Sequence, residues 1–85
     1  MGGPSQLGVA FAEAVRRHRV RKGLSQEALA EAADIHHTYV GLLERGRRRP
    51  TIEVADRIAR ALGRSLSTMI AEAERESAKI GRGNV

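Results

Sequence analysis

A chain of 85 residues has room for one compact domain and buries only ~60–65% of the surface its unfolded form exposes, so its core is small and pairing with a second copy would help it. Its 15 lysines and arginines outnumber its 10 acids, leaving a net charge of +5 that suits a polyanionic partner. The absence of cysteine excludes a disulfide framework and a thiolate metal site, and the only two aromatic residues, Phe11 and Tyr39, leave little for the stacking platforms that read single-stranded nucleic acid.

Met1 to Gln6 contains glycine and proline without periodicity and is expected to be a disordered arm. From Leu7 a helix is expected to about Lys22, with Leu7, Phe11, Val15 and His18 at i, i+4, i+8 and i+11 on one face and Ser5 in place to cap it. His18 on that apolar face reads as a partly buried, hydrogen-bonded histidine, since no second ligand is placed for a metal. Gly23 ends the helix, and Ser25 caps the next one, leaving Gln26 at its exposed N-terminus.

In the stretch Gln26 to Arg45, Leu29, Ala33, Ile35, Val40 and Leu43 recur at helical period, broken at Ala33-Asp34-Ile35-His36. Ala30 is small where a second helix would cross closely. Asp34 tolerates the left-handed backbone that such a break asks for. A third helix is expected from His36 or His37 to Arg45, ~15 Å long at 1.5 Å per residue. Val40 and Leu43 face inward, Tyr39 and Leu42 are partly outward, and His36, His37, Thr38 and Gly41 form the leading face.

Gly46 closes the third helix, Pro50 blocks its continuation, and Thr51 caps a fourth carrying Val54, Ala55, Ile58, Ala61 and Leu62 as far as Gly63. Ser65 caps a fifth with Leu66, Met69, Ile70 and Ala73 on one stripe, either closing the core or forming a surface for a second chain. Glu72, Glu74 and Glu76 read as a solvated helix end, and residues 77–85 as a disordered tail, which puts the domain at residues 7–76. No apolar run approaches the ~18 residues of a membrane span and no charged-then-apolar leader opens the sequence, so a cytoplasmic setting is expected.

Charge is placed unevenly. Residues 1–24 hold five bases and one acid, 25–46 one base and four acids, 47–64 six bases and two acids, and 65–85 three of each. Two basic blocks thus flank the broken helical stretch, a layout suited to gripping a phosphate backbone on either side of a groove.

The order and spacing of four segments carry a resemblance: L-S-Q-E-x-L-A (Leu24 to Ala30), T-Y-V-x-x-L-E-R-G (Thr38 to Gly46), R-x-P-T (Arg48 to Thr51) and I-A-x-A-L-G (Ile58 to Gly63). From about Leu7 to about Ala73 the chain resembles the Cro-type, lambda-repressor-like helix-turn-helix domains of the XRE family. Within that family H-x-T-Y (His36 to Tyr39) followed by E-R-G (Glu44 to Gly46) looks most like the controller proteins of restriction-modification systems. The resemblance implies an all-α, five-helix fold and a sequence-specific regulator that binds double-stranded DNA as a homodimer on a roughly palindromic operator. On that reading the third helix enters the major groove, where His36, His37, Thr38 and Gly41 are the candidate base readers. Gln26, Tyr39, Arg45, Arg47, Arg48 and Thr51 are the candidate contacts to the backbone. The resemblance also implies a structural ion pair between Arg19 and Glu44 and a dimer interface including Leu66, Met69 and Ile70.

Because the readers include no Arg, Lys, Asn or Gln, specificity is expected to lean on DNA shape and the flanking arginines. The histidines imply binding that strengthens as pH falls from about 8 to 6. No catalytic constellation, cofactor loop or metal cluster is legible, so no enzyme activity and no cofactor is expected. The alternative function is a protein-interaction module, antitoxin-like or an adaptor, that keeps the fold and takes a protein partner.

Overall fold

In the computed structural model the described backbone covers residues 6–83 and the described side chains residues 6–78. Ser5, expected to cap the first helix, lies outside the described residues, as do the rest of the arm through residue 5 and the last two residues of the tail. Five helices follow in order: α1 (Gln6–Lys22), α2 (Gln26–Ala33), α3 (Tyr39–Glu44), α4 (Ile52–Ala61) and α5 (Leu66–Gly83). No strand occurs among the described residues.

Local chemistry sets most of these boundaries. The hydroxyl oxygens of Ser25, Thr51 and Ser65 accept from the backbone N–H three residues on, at 3.0, 3.1 and 3.1 Å, each satisfying a donor that the first turn of a helix cannot. At the end of α2, Asp34 takes the left-handed conformation (φ 57°, ψ 50°), and the Ile35 N–H donates back to the Ala30 carbonyl at 3.0 Å. Gly46 does the same work after α3 at φ 75°, with the Arg47 N–H donating to the Leu42 carbonyl at 2.8 Å. These two reversals aim the chain on either side of α3; glycine tolerates the geometry because it has no Cβ, and aspartate because its side chain is short and polar.

Phe11 and Val15 of α1, Leu29 and Ala30 of α2, Val40 and Leu43 of α3, Ile58 of α4, and Leu62 just after it meet in one core closed by Met69 and Ala73 of α5. Leu29, Val15, Val40, Ile58 and Met69 are wholly shielded from solvent, each contributing roughly 1.5–3 kcal/mol on burial. α1 lies most extensively along α5, and α2 packs on α4 and α3. The radius of gyration, 12.4 Å, is near the ~12 Å of a globular chain this long.

Two expectations change here. Met69 is fully buried, so it closes the core and is not available to a second chain, while Leu66 and Ile70 remain partly exposed. The fifth helix also continues through Gly83, so residues 77–83 extend it where a disordered tail was expected. Residues 74–80 hold neither glycine nor proline, and nothing in their backbone chemistry stops a helix after its apolar stripe ends.

Candidate nucleic-acid interface

α3 is the shortest helix, six residues or about 9 Å, and it begins later than its apolar spacing suggests. His36, His37 and Thr38 precede it as an exposed turn. The Thr38 N–H donates to His36 Nδ1 at 3.2 Å, and the Thr38 hydroxyl lies 2.9 Å from the same nitrogen. Thr38 is the N-cap residue, yet its hydroxyl makes no cap bond to α3, being engaged with the imidazole. An Nδ1 that accepts puts the proton of the neutral ring on Nε2, which leaves His36 one N–H donor free. The His37 ring stacks on His36 with centroids 4.4 Å apart. The three side chains thus stand on a pre-arranged turn at the tip of the helix-turn-helix.

Gly41, expected on the leading face, is buried instead. The side chains of Gln26 and Arg45 lie over it, with Gln26 Oε1 only 3.0 Å from where a Cβ would stand. Gln26 itself is half-buried, because its Nε2 donates to Glu44 Oε1 at 3.0 Å. The same carboxylate receives Arg19: Nε donates to Oε2 at 2.7 Å and Nη2 to Oε1 at 3.0 Å, while Arg19 Nη1 donates to the Leu24 carbonyl at 2.9 Å. The hydrogen bond to Glu44 raises the Arg19 pKa against the opposing effect of burial. One carboxylate therefore joins α1, the start of α2 and the end of α3.

Beyond α3 the chain displays Arg45, Arg47, Arg48 and Arg49, all exposed. None of the four is paired with a carboxylate among the described residues. Thr51 follows, its oxygen accepting from the Val54 N–H, so its own proton is free to be donated outward. Tyr39 is half-buried. Desolvation raises its phenol pKa and the Arg48 charge works the other way, which keeps the hydroxyl a neutral donor. On the other flank Glu27, Glu31 and Asp34 share a shallow depression with His37, gathering the acids beside the histidine turn. These side chains do not converge on a common point, and among the described residues no group of three or more His, Asp or Glu is placed to hold a metal ion.

Sequence reasoning missed two features. Glu72, expected in a solvated helix end, accepts from Arg17 and bonds His18 Nε2 at 2.9 Å, giving a polar partner to a histidine that is only 7% exposed. Ile52, at the start of α4, is 75% exposed and borders an apolar groove with Leu7, Val9, Leu66 and Ile70. Its position directly after a cap residue disguised it as an ordinary first-turn side chain.

The model of a family described as helix-turn-helix matches residues 15–69. Control protein C.SmaI of Serratia marcescens is 41% identical over 60 residues, 71% of this chain and 71% of that protein. The crystal structure of the clp gene regulator ClgR from Corynebacterium glutamicum superposes with a TM-score of 0.83 at 32% identity, covering 92% of this chain and 83% of that one. That of the restriction-modification controller protein C.AhdI from Aeromonas hydrophila gives 0.69 at 35% identity, covering 73% and 94%.

Proposed function

Because this chain belongs to the helix-turn-helix family of Cro- and lambda-repressor-type DNA-binding transcription regulators, we propose that it binds a roughly palindromic operator in double-stranded DNA as a homodimer. The observation that carries this reading is the row of four exposed, unpaired arginines on the turn after α3. Four like charges within five residues repel one another, and a phosphate backbone is the partner that neutralises them.

The histidine turn supplies the base readers. His36 Nε2–H and the His37 ring can donate to a guanine acceptor, and the Thr38 methyl can meet thymine. Gln26, Tyr39, Arg45, Arg47, Arg48 and Thr51 surround that turn as phosphate contacts, and Gly41 leaves the list of readers because Gln26 and Arg45 cover it. For the second copy, Leu66 and Ile70 of α5 offer a partly exposed apolar face that continues to Ile52. A twofold axis there would set two reading turns about 34 Å apart on successive major grooves. Relatives named as control proteins and as a clp gene regulator support a role in gene regulation and, with it, a cytoplasmic setting. Among the described residues no helix is long and apolar enough to cross a membrane.

Selection from randomised duplex DNA, read by anisotropy at two salt concentrations, tests the proposal. Enrichment of an inverted half-site with affinity falling steeply in salt is the expected result. Binding without sequence enrichment, or enrichment of a single unrepeated half-site, would overturn operator recognition by a dimer.

A further inference from the structure

We propose that Gly41 is a positioning residue for Gln26: the missing side chain on α3 makes the space in which Glu44 can hold the Gln26 amide in one orientation at the DNA surface. This rests on the DNA-binding reading above. A carboxylate only accepts, so the Glu44 Oε1 that meets Gln26 at 3.0 Å selects the amide nitrogen and turns the amide oxygen the other way, over Gly41. Glu44 cannot swing aside to relax this choice, because Arg19 clamps both of its oxygens at 2.7 and 3.0 Å and its side chain is 4% exposed. With the far end of Gln26 anchored, a Cβ at position 41 would sit 3.0 Å from Oε1 and 3.2 Å from Arg45 Nη1, closer than ordinary contact. The anchored amide then has to give by a few tenths of an ångström, and because Glu44 cannot follow, that displacement lengthens and bends the bond between them.

The oriented amide keeps one N–H and its carbonyl oxygen free at the N-terminus of α2. A freely rotating glutamine would present either end of its amide. A held one presents a fixed donor to a phosphate oxygen and loses no rotamer freedom on binding. Gly41 therefore acts on DNA through a side chain fifteen positions earlier in the chain, although it is itself buried beneath that side chain.

A double-mutant cycle tests this. In the free protein, the Gln26 side-chain amide protons should show one hydrogen-bonded, shifted resonance in the 15N correlation spectrum, and Gly41→Ala should collapse that pair towards the positions of a solvated glutamine. On an operator duplex, Gly41→Ala should weaken binding by the dimer ~100-fold, the size of one lost hydrogen bond to a charged group in each protomer. In a Gln26→Ala background the same substitution should cost at least ~10-fold less affinity than in the parent, because no amide remains to displace and only the contact with Arg45 Nη1 is left. Alanine favours helix over glycine, so an unchanged or raised thermal midpoint separates the effect from unfolding. An unmoved Gln26 resonance in Gly41→Ala, or equal losses of affinity in both backgrounds, would overturn the proposal. A shifted resonance in a protein that binds no duplex would instead leave the positioning intact and remove the DNA reading beneath it.

Discussion

Arg17 and Arg19 of α1 each end on a carboxylate, Glu72 and Glu44, whereas Arg45, Arg47, Arg48 and Arg49 on the α3–α4 turn end on none among the described residues. The two sets have the same side chain and opposite uses. A guanidinium in a partly dry site, forked onto a carboxylate, fixes the angle between helices. An exposed one on a turn adds little to the fold, and a row of them opposes it through mutual repulsion. In so small a domain an unpaired row that works against the fold fits the phosphate partner proposed above, while the paired set marks the frame that presents it.

The sharpest way to break that contrast is to remove the hub of the frame. Glu44→Ala leaves Arg19, 12% exposed, and Gln26 without their common acceptor. Removing one member of a buried pair costs about 3–5 kcal/mol, a large part of the ~5–13 kcal/mol available to a domain of this size. Urea denaturation should show that loss, and Arg19→Ala should show most of it too. A loss below about 1 kcal/mol would mean that the pair is decoration and that the apolar core alone sets the helix angles.

The opposite operation leaves the frame and strips the surface. Arg47→Ala with Arg48→Ala should leave the denaturation midpoint unchanged or slightly raised, since both side chains are exposed, neither is paired among the described residues, and their removal relieves like-charge repulsion. Each phosphate contact contributes about −0.9 to the slope of log affinity against log salt, so the double variant, which loses two contacts in each protomer of the dimer, should flatten that slope by about 3.6 and bind ~1,000-fold more weakly near 0.15 M salt. The loss should be alike for all duplex sequences, because backbone contacts carry no base information. A loss confined to the selected operator would instead make these arginines readers of bases or of groove shape.

The frame and the surface were not equally legible in the sequence. Ser25, Thr51 and Ser65 mark helix starts and Gly46 a helix end through bonds that reach only three to five residues, so the helix order could be read locally. The arginine turn was legible for the same reason. What escaped depends on distant partners or on competing local bonds. Glu72 meets His18 across 54 residues, and nothing near either residue announces the other. The spacing of Gly41 puts it on the leading face of α3 and says nothing of the Gln26 side chain arriving from α2. The late start of α3 reflects the His36 ring bonding Thr38, a choice that a period-3.6 pattern cannot express. Leu66, Met69 and Ile70 share one stripe in the sequence, and only packing separates the buried Met69 from its two half-exposed neighbours.

The smallest effect sharpens the comparison within the paired set, since Glu72 is a more open acceptor than Glu44. Its side chain is 21% exposed and its pKa is lowered from 4.5 to about 2, chiefly by the hydrogen bond from Arg17 and then by that with His18. A shift of that size in a fully sheltered group would correspond to about 3 kcal/mol. Screening at the more exposed Arg17 reduces it to about 1 kcal/mol. The sign follows from proton uptake. Between pH 4.5 and 2 the unfolded chain binds a proton at this carboxylate and the folded chain does not, so acid favours unfolding. The contribution is complete above pH 4.5 and fades as pH falls to 2. Glu72→Gln should therefore be about 1 kcal/mol less stable than the parent at pH 6, with the two curves converging near pH 2, while the other carboxylates titrate alike in both proteins. A gap that stays constant down to pH 2 would show that the glutamine merely packs worse between α1 and α5 and that the charge of Glu72 holds nothing.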